Sequence, residues 1–281
     1  MNCFENKQKL RDFLQGLKKQ HCSVGFVPTM GALHAGHISL VAQSNKENDV
    51  TVVSIFVNPT QFNDKQDLIN YPVSINEDLF LLKRAKCEIV FIPKKEEIYP
   101  NGNEILTYLD FGHLDRILEG KYRPGHFYGV ATVVSKLFDI VQPDRAYFGE
   151  KDYQQYLIIK KLVEIQNRKI DIVHCPIIRE KDGLAMSSRN ILLTTTERAA
   201  APLLYRVLIE ARNIFHSETV DESIKWAKDQ FDLHREFQLE YFDILNGENL
   251  KPLTNGSDHP HVIGLVAALL GNVRLIDNMR F

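Results

Sequence analysis

Apolar residues come in two textures along this chain. The bursts "SVGFVP", "DVTVVSIFVNP" and "CEIVFIP" are short, rich in β-branched and aromatic side chains, and closed by a proline or Asn-Pro. Strands buried on both faces read this way. Between them, "ISLVAQSNKEN" and "INEDLFLLKRAK" repeat apolar positions at helical spacing, the mark of a helix with one covered face. Phe4, Leu10, Phe13, Leu14 and Leu17 share that spacing and predict an amphipathic helix at the start. The alternation continues through the helix-like "YGVATVVSKLFDIVQ", the strand "RAYFG", the helix "DYQQYLIIKKLVEIQN" and the strand "IDIVHCPII". Short apolar strands alternating with helices predict a doubly wound parallel sheet.

The texture changes after "KDGLAMSSRN". Helical stretches around Thr196 to His216 and Asp221 to Phe237 precede "LEYFDILN", "HVIGLVAALLG" and "VRLIDN", three strands with turn-rich joins such as "NGSDHP". We therefore expect a Rossmann-like α/β domain over residues 1–178 and a smaller α+β domain, acting as a lid, over 179–281. A chain of 281 residues suits such a pair. With 44% hydrophobic and 25% charged residues it reads as ordinary globular protein. The formal net charge of -2 offers no broad attraction to nucleic acid or an anionic membrane, so small molecules are the expected partners. The four cysteines form no CxxC and read as reduced thiols. Neither a signal-peptide core nor an apolar run of about 18 residues is visible, so a cytoplasmic location is expected.

The stretch "VPTMGALHAGH" ends the first apolar burst. Open α/β sheets bind ligands at the carboxyl ends of strands, where a following helix presents unpaired N–H groups and a positive dipole end. Gly31 and Gly36 permit close backbone approach. His34 and His37, three apart at the helix start, share a face and can offer imidazole N–H groups to phosphate. Such a pair is also what a helix cap or a surface histidine looks like, and a zinc site would need a third ligand that no "HExxH" supplies. Further polar groups follow other predicted strands: Asn58 and Gln61 in "FVNPTQF", then Gly149, Lys151, Asp152 and Gln155 in "FGEKDYQQ". Ser187, Ser188 and Arg189 stand in the loop "GLAMSSRN". Each alone has a plain reading, Asp152 as a helix cap and Lys151 as a solvated charge. Together they point to a nucleotide enzyme.

"PTMGALHAGH", "SIFVNPTQF", "LEGKYRPGHFYGV", "FGEKDYQQ", "KDGLAMSSRN" and "RLIDN" together resemble the pantothenate synthetase family, the pantoate and β-alanine ligases, over nearly the whole chain. The first is similar to the HxGH signature of the nucleotidylyltransferase superfamily, and "MSSR" to its KMSKS counterpart. The resemblance implies an ATP- and Mg2+-dependent ligase that forms pantoyl adenylate and pyrophosphate, then pantothenate and AMP. It implies an ATP site along Met30, Gly31, Ala32 and Leu33, continuing through His34, Ala35, Gly36 and His37, with His37 as acid-like partner of the leaving pyrophosphate. Gly149, Glu150, Lys151 and Asp152 would meet ribose and phosphates, Ile178 the adenine, and Met186, Ser187, Ser188 and Arg189 would close over the polyphosphate. Gln61 and Gln155 would hold pantoate, Gln61 also facing β-alanine. Asn58, Arg123 and Tyr71 are lesser candidates, Asp78 a candidate Mg2+ ligand, and a homodimer is implied.

Three departures stand out. Val73 follows Tyr71 and Pro72 where the family has arginine. Thr60 replaces methionine or leucine, a change expected to loosen or reshape the pantoate wall. Ser188 stands near the second lysine of KMSKS, so positive charge must come from Arg189 or Lys151. A nucleotidylyltransferase that leaves AMP on its acceptor and a non-catalytic ATP-binding module are the alternatives. An aminoacyl-tRNA synthetase would need a basic surface and further domains.

Overall fold

The computed structural model describes the chain except residues 64, 103 and 254–259. It divides into two compact units, Met1–Glu150 with Gln155–Pro176, and Lys151–Gln154 with Ile177–Phe281.

In the first unit, β1 (Asn2–Phe4), β2 (Val24–Thr29), β3 (Val50–Ile55), β4 (Ile89–Phe91), β5 (Arg145–Gly149) and β6 (Asp171–Cys175) form one parallel sheet in the order β1-β4-β3-β2-β5-β6. The helices in this part of the chain are α1 (Lys7–Lys18), α2 (Ala35–Glu47), α3 (Lys65–Ile69), α4 (Ile75–Arg84), α5 (Lys95–Ile98), α6 (Glu119–Tyr122), α7 (His126–Val141) and α8 (Tyr153–Ile165). Neighbouring strand residues point to opposite faces. Phe26, Val52, Ile89 and Ala146 pack with Leu10 and Leu14 of α1 and Phe138 of α7. Val27, Val53, Val90 and Tyr147 pack with Leu40 and Val41 of α2 and Leu82 of α4. Both faces are covered, the Rossmann-like arrangement that the unbroken apolar bursts predict. From β2 the chain steps outward to β3 and β4, then returns to place β5 on the other side of β2. The strand order therefore reverses between β2 and β5, opening a crevice at their carboxyl ends.

The second unit carries α9 (Thr195–Ala200), α10 (Leu203–Ser217), α11 (Val220–Leu233) and an antiparallel sheet of β7 (Phe237–Asn246), β8 (Val262–Leu270) and β9 (Val273–Arg280), in the order β7-β8-β9. Leu204, Val207, Leu208 and Ala211 of α10 and Phe231 of α11 pack on Phe242, Val266 and Leu275.

Three expectations are corrected. Phe4 belongs to β1, paired with Phe91, because Asn6 caps α1 by accepting the Gln8 and Lys9 N–H groups and starts it at Lys7. The helix expected over Thr196 to His216 is two, separated around Pro202, whose ring and missing N–H interrupt a helix. Phe237 opens β7 opposite Leu270 instead of ending α11. The turn read at "NGSDHP" lies, apart from Pro260, outside the described residues.

Candidate active site

The loop after β2 is set by buried polar anchors. The Thr29 hydroxyl donates to the Ser54 carbonyl at 2.7 Å and accepts the Gly31 N–H at 3.3 Å. Gly31 at φ +85° and Ala32 at φ +49° then turn the chain through the left-handed region. A Cβ on Gly31 would stand 3.0 Å from Asp78 Oδ2. Asp78, fully buried on α4, holds this turn: Oδ2 accepts the Ala32 N–H at 3.0 Å and Oδ1 the Leu33 N–H at 2.7 Å. Burial raises the Asp78 carboxyl above its ordinary value, and the Leu33 and Ala32 N–H bonds pull the other way. Among the described residues no three His, Cys, Asp or Glu side chains converge on a metal position. Both carboxylate oxygens of Asp78, the candidate Mg2+ ligand, are thus engaged with the backbone of this turn.

His34 and His37 follow at the start of α2. His34 is the N-cap, its Nδ1 accepting the Gly36 N–H at 3.1 Å, while the His34 N–H donates to His37 Nδ1 at 3.3 Å. The rings lie 4.2 Å apart. A ring nitrogen that accepts a backbone N–H carries no proton, so each neutral imidazole bears its proton on Nε2. Capping thus uses His34 Nδ1, so a ligand reading of this residue concerns the Nε2 edge of its ring.

After β3, Asn58 precedes Pro59 and adopts the extended backbone that position favours. Asn58 is buried, and its amide faces protein on both sides. Its Oδ1 accepts the Tyr99 hydroxyl at 2.7 Å and the Thr60 hydroxyl at 3.0 Å; its Nδ2 donates to Gln61 Oε1 at 3.0 Å and to the Gly129 carbonyl at 3.2 Å. With Oε1 so occupied, Gln61 turns its Nε2 to Met30 Sδ, 3.0 Å away, in the loop before the histidines. His126 Nδ1 donates to the Gln61 carbonyl at 2.8 Å, and its Nε2 lies 3.3 Å from the Arg123 guanidinium. The Thr60 hydroxyl also lies 3.1 Å from the Tyr99 hydroxyl. Tyr71 is buried and packs edge-on to Phe62, whereas Val73 is exposed. Gly149 ends β5, the neighbour of β2, Glu150 follows it, and Gln155 is half-buried at the start of α8.

The remaining candidates belong to the second unit. Lys151 Nζ stands 3.6 Å from Asp152 Oδ1. Ile178 accepts the Met186 N–H at 2.9 Å beside the bridge between Arg179 and Ala185. Ser187 caps the short turn Ser188–Leu192 by accepting the Arg189 N–H at 3.3 Å. Sequence reasoning missed Tyr99 and the individual roles of His126, Asp277 and Asn278, although the last three lie in the segments "RPGHF" and "RLIDN".

A family model described as pantoate-beta-alanine ligase matches residues 2–280. A protein of Porphyromonas gingivalis named pantothenate synthetase is 45% identical over 281 residues, covering 100% of this chain and 99% of its own. One of Bacteroides thetaiotaomicron with the same name is 46% identical over the same shares. Pantothenate synthetase from Thermus thermophilus has a similar structure, with a TM-score of 0.92 at 40% identity over 99% of both chains. Pantoate-beta-alanine ligase from Francisella tularensis, described as complexed with Beta-gamma ATP and Beta-alanine, has a TM-score of 0.83 at 38% identity over 100% of this chain and 97% of its own. These likenesses run from end to end and include every segment on which the resemblance was first read. The chain belongs to the pantoate-β-alanine ligase family.

Proposed function

We propose that the protein joins pantoate to β-alanine at the expense of ATP. A pantoate carboxylate oxygen attacks the α-phosphorus and pyrophosphate leaves, giving pantoyl adenylate. The β-alanine amine then attacks the acyl carbon, AMP leaves, and the amine's proton passes to solvent. Both nucleophiles arrive with the substrates, so the protein's task is to align them and stabilise developing negative charge. Alignment is worth roughly 7 to 11 kcal/mol of barrier and one aimed donor about 2.7 to 4 kcal/mol.

The observation that carries this reading is the His34–His37 pair after β2, each ring accepting a backbone N–H on Nδ1, beside the β2–β5 switch point in a chain of this family. His34 and His37 receive the phosphates, and His37 supports the departing pyrophosphate. Met30, Gly31, Ala32 and Leu33, with Ala35 and Gly36, line the nucleotide. Gly149, Glu150, Lys151 and Asp152 meet ribose and phosphates, Ile178 offers its backbone to adenine, and Met186, Ser187, Ser188 and Arg189 contact the polyphosphate. Gln61 presents Nε2–H to pantoate and faces β-alanine, and Gln155 completes the pantoate contacts. Mg2+ would supply positive charge at the nucleotide's phosphates, where it is usually bound together with one or two carboxylates. We place the protein in the cytoplasm as a homodimer; the molar mass in solution, measured by light scattering, checks the dimer.

Chromatography of the products tests the function. Pantothenate and free AMP should accumulate only with ATP, pantoate and β-alanine all present, and His37→Ala should lose adenylate formation with its fold intact. Turnover without a carboxylic acid, or AMP left attached to a phosphorylated acceptor, would overturn the proposal.

A further inference from the structure

Lys151–Gln154 lies one residue beyond β5 in the chain, yet it packs as part of the second unit. Two side-chain contacts tie it there. Asn278 of β9 donates its side-chain amide to the Lys151 carbonyl at 2.9 Å, and the Tyr153 hydroxyl donates to the Gly247 carbonyl at 2.7 Å. Asn278 is itself held from behind. Its backbone N–H donates to Asp277 Oδ1 at 2.8 Å and its carbonyl accepts from the Arg179 guanidinium at 3.1 Å.

Arg179 grips Asp277 with both terminal nitrogens, at 2.6 and 3.0 Å, donates to the Gly183 carbonyl at 3.0 Å and stacks on the Tyr205 ring at 4.1 Å. This planar, bidentate and stacked geometry defines one orientation of the guanidinium. The same arginine opens the hairpin that leads to Met186. It bridges Ala185, and on either side the Met186 N–H reaches Ile178 and the Leu184 carbonyl accepts the Glu180 N–H. One ion pair anchored on β9 thus supports two separate pieces of chain, the Lys151 peptide and the base of the segment carrying Ser187, Ser188 and Arg189.

We propose that Asn278 is a positioning residue for Lys151: through the Lys151 carbonyl it sets the ammonium in the frame that the Arg179–Asp277 pair gives to the Ser187–Arg189 segment. This inference rests on the ATP-dependent reaction proposed above. Asn278 needs no contact with the nucleotide, since it acts on the peptide from which the lysine side chain springs. Tyr153 is the second anchor of the same segment.

A double-mutant cycle tests it, with kcat/KM for ATP measured on the full chain at a temperature well below every variant's Tm. Asn278→Ala removes one hydrogen bond to a backbone carbonyl and should lower kcat/KM for ATP about tenfold, the equivalent of about 1.4 kcal/mol. In the Lys151→Ala background the same substitution should change it less than twofold, because the group being positioned is gone. Equal losses in both backgrounds, the signature of general loosening, would overturn the proposal. Should Asn278→Ala fail to fold, Tyr153→Phe takes its place in the cycle, with the same two outcomes. A wild-type protein that forms no AMP from ATP, pantoate and β-alanine together would instead overturn the function itself, whereas an active wild type with additive losses would overturn only the role of Asn278.

Discussion

Replacing Asp78 by asparagine preserves shape but takes away one of the two acceptor oxygens that hold the turn between β2 and α2. The amide oxygen keeps one N–H, of Ala32 or of Leu33, and the amide nitrogen then faces the other, donor against donor, in a fully buried place. Leaving a buried N–H without an acceptor costs about 1–3 kcal/mol. Part of that is offset, because burial already disfavours the Asp78 charge. A net cost of about 1–2 kcal/mol, set against a turn that includes Ala32 at φ +49°, shifts the loop toward conformations in which His34 and His37 are displaced. The expected result is a fall in kcat/KM for ATP of roughly 5- to 30-fold, with a Tm lower by a few degrees. Pyrophosphate release at varied ATP, with a thermal melt on the same preparations, measures both. An unaltered kcat/KM and Tm would refute the clasp. Full recovery of the variant in excess Mg2+ would refute it differently, by showing Asp78 to be a metal ligand.

Other expectations follow from the same geometry. Gly129→Ala places a Cβ 2.2 Å from the Thr60 carbonyl oxygen, so α7 must separate from the Asn58–Gln61 turn; urea unfolding should show a loss of about 1–3 kcal/mol, with a higher KM for pantoate. Burial pushes the Cys87 thiol up to about 12 and that of Cys175 to about 11, while Cys3 is exposed and Cys22 partly so. Ellman's reagent at pH 8 should therefore find two thiols in the native protein and four after denaturation. The Arg198 guanidinium, bonded to Asp182 at 2.6 Å, holds that carboxyl below its ordinary 3.8. Its stabilisation is present above pH 3.8 and lost as pH falls through the lower folded value, so Asp182→Asn should flatten the acid limb of the stability curve measured by chemical denaturation.

What was legible in the sequence follows from local rules. Val52 beside Val53, and Phe26 beside Val27, require two covered faces, so the apolar bursts by themselves dictated a doubly wound sheet. A glycine-bearing turn with two histidines three apart, placed after a strand, marked the site because strand ends and helix starts impose backbone geometry over a few residues. The three-residue β1 escaped notice because it is too short to carry a period, and its partner β4 lies far along the chain. Tertiary structure alone decided which polar groups meet. Nothing near Asp78 announces that its carboxylate closes on Ala32 and Leu33, 46 and 45 residues away. Nor does "FVNPTQF" disclose that Tyr99 and Gly129 turn Asn58 toward Gln61, or "RLIDN" that Asn278 reaches Lys151. Periodicity records how much of a side chain is buried, whereas the partner of a buried hydrogen bond is chosen by the packing of distant segments, and these contacts are of that second kind.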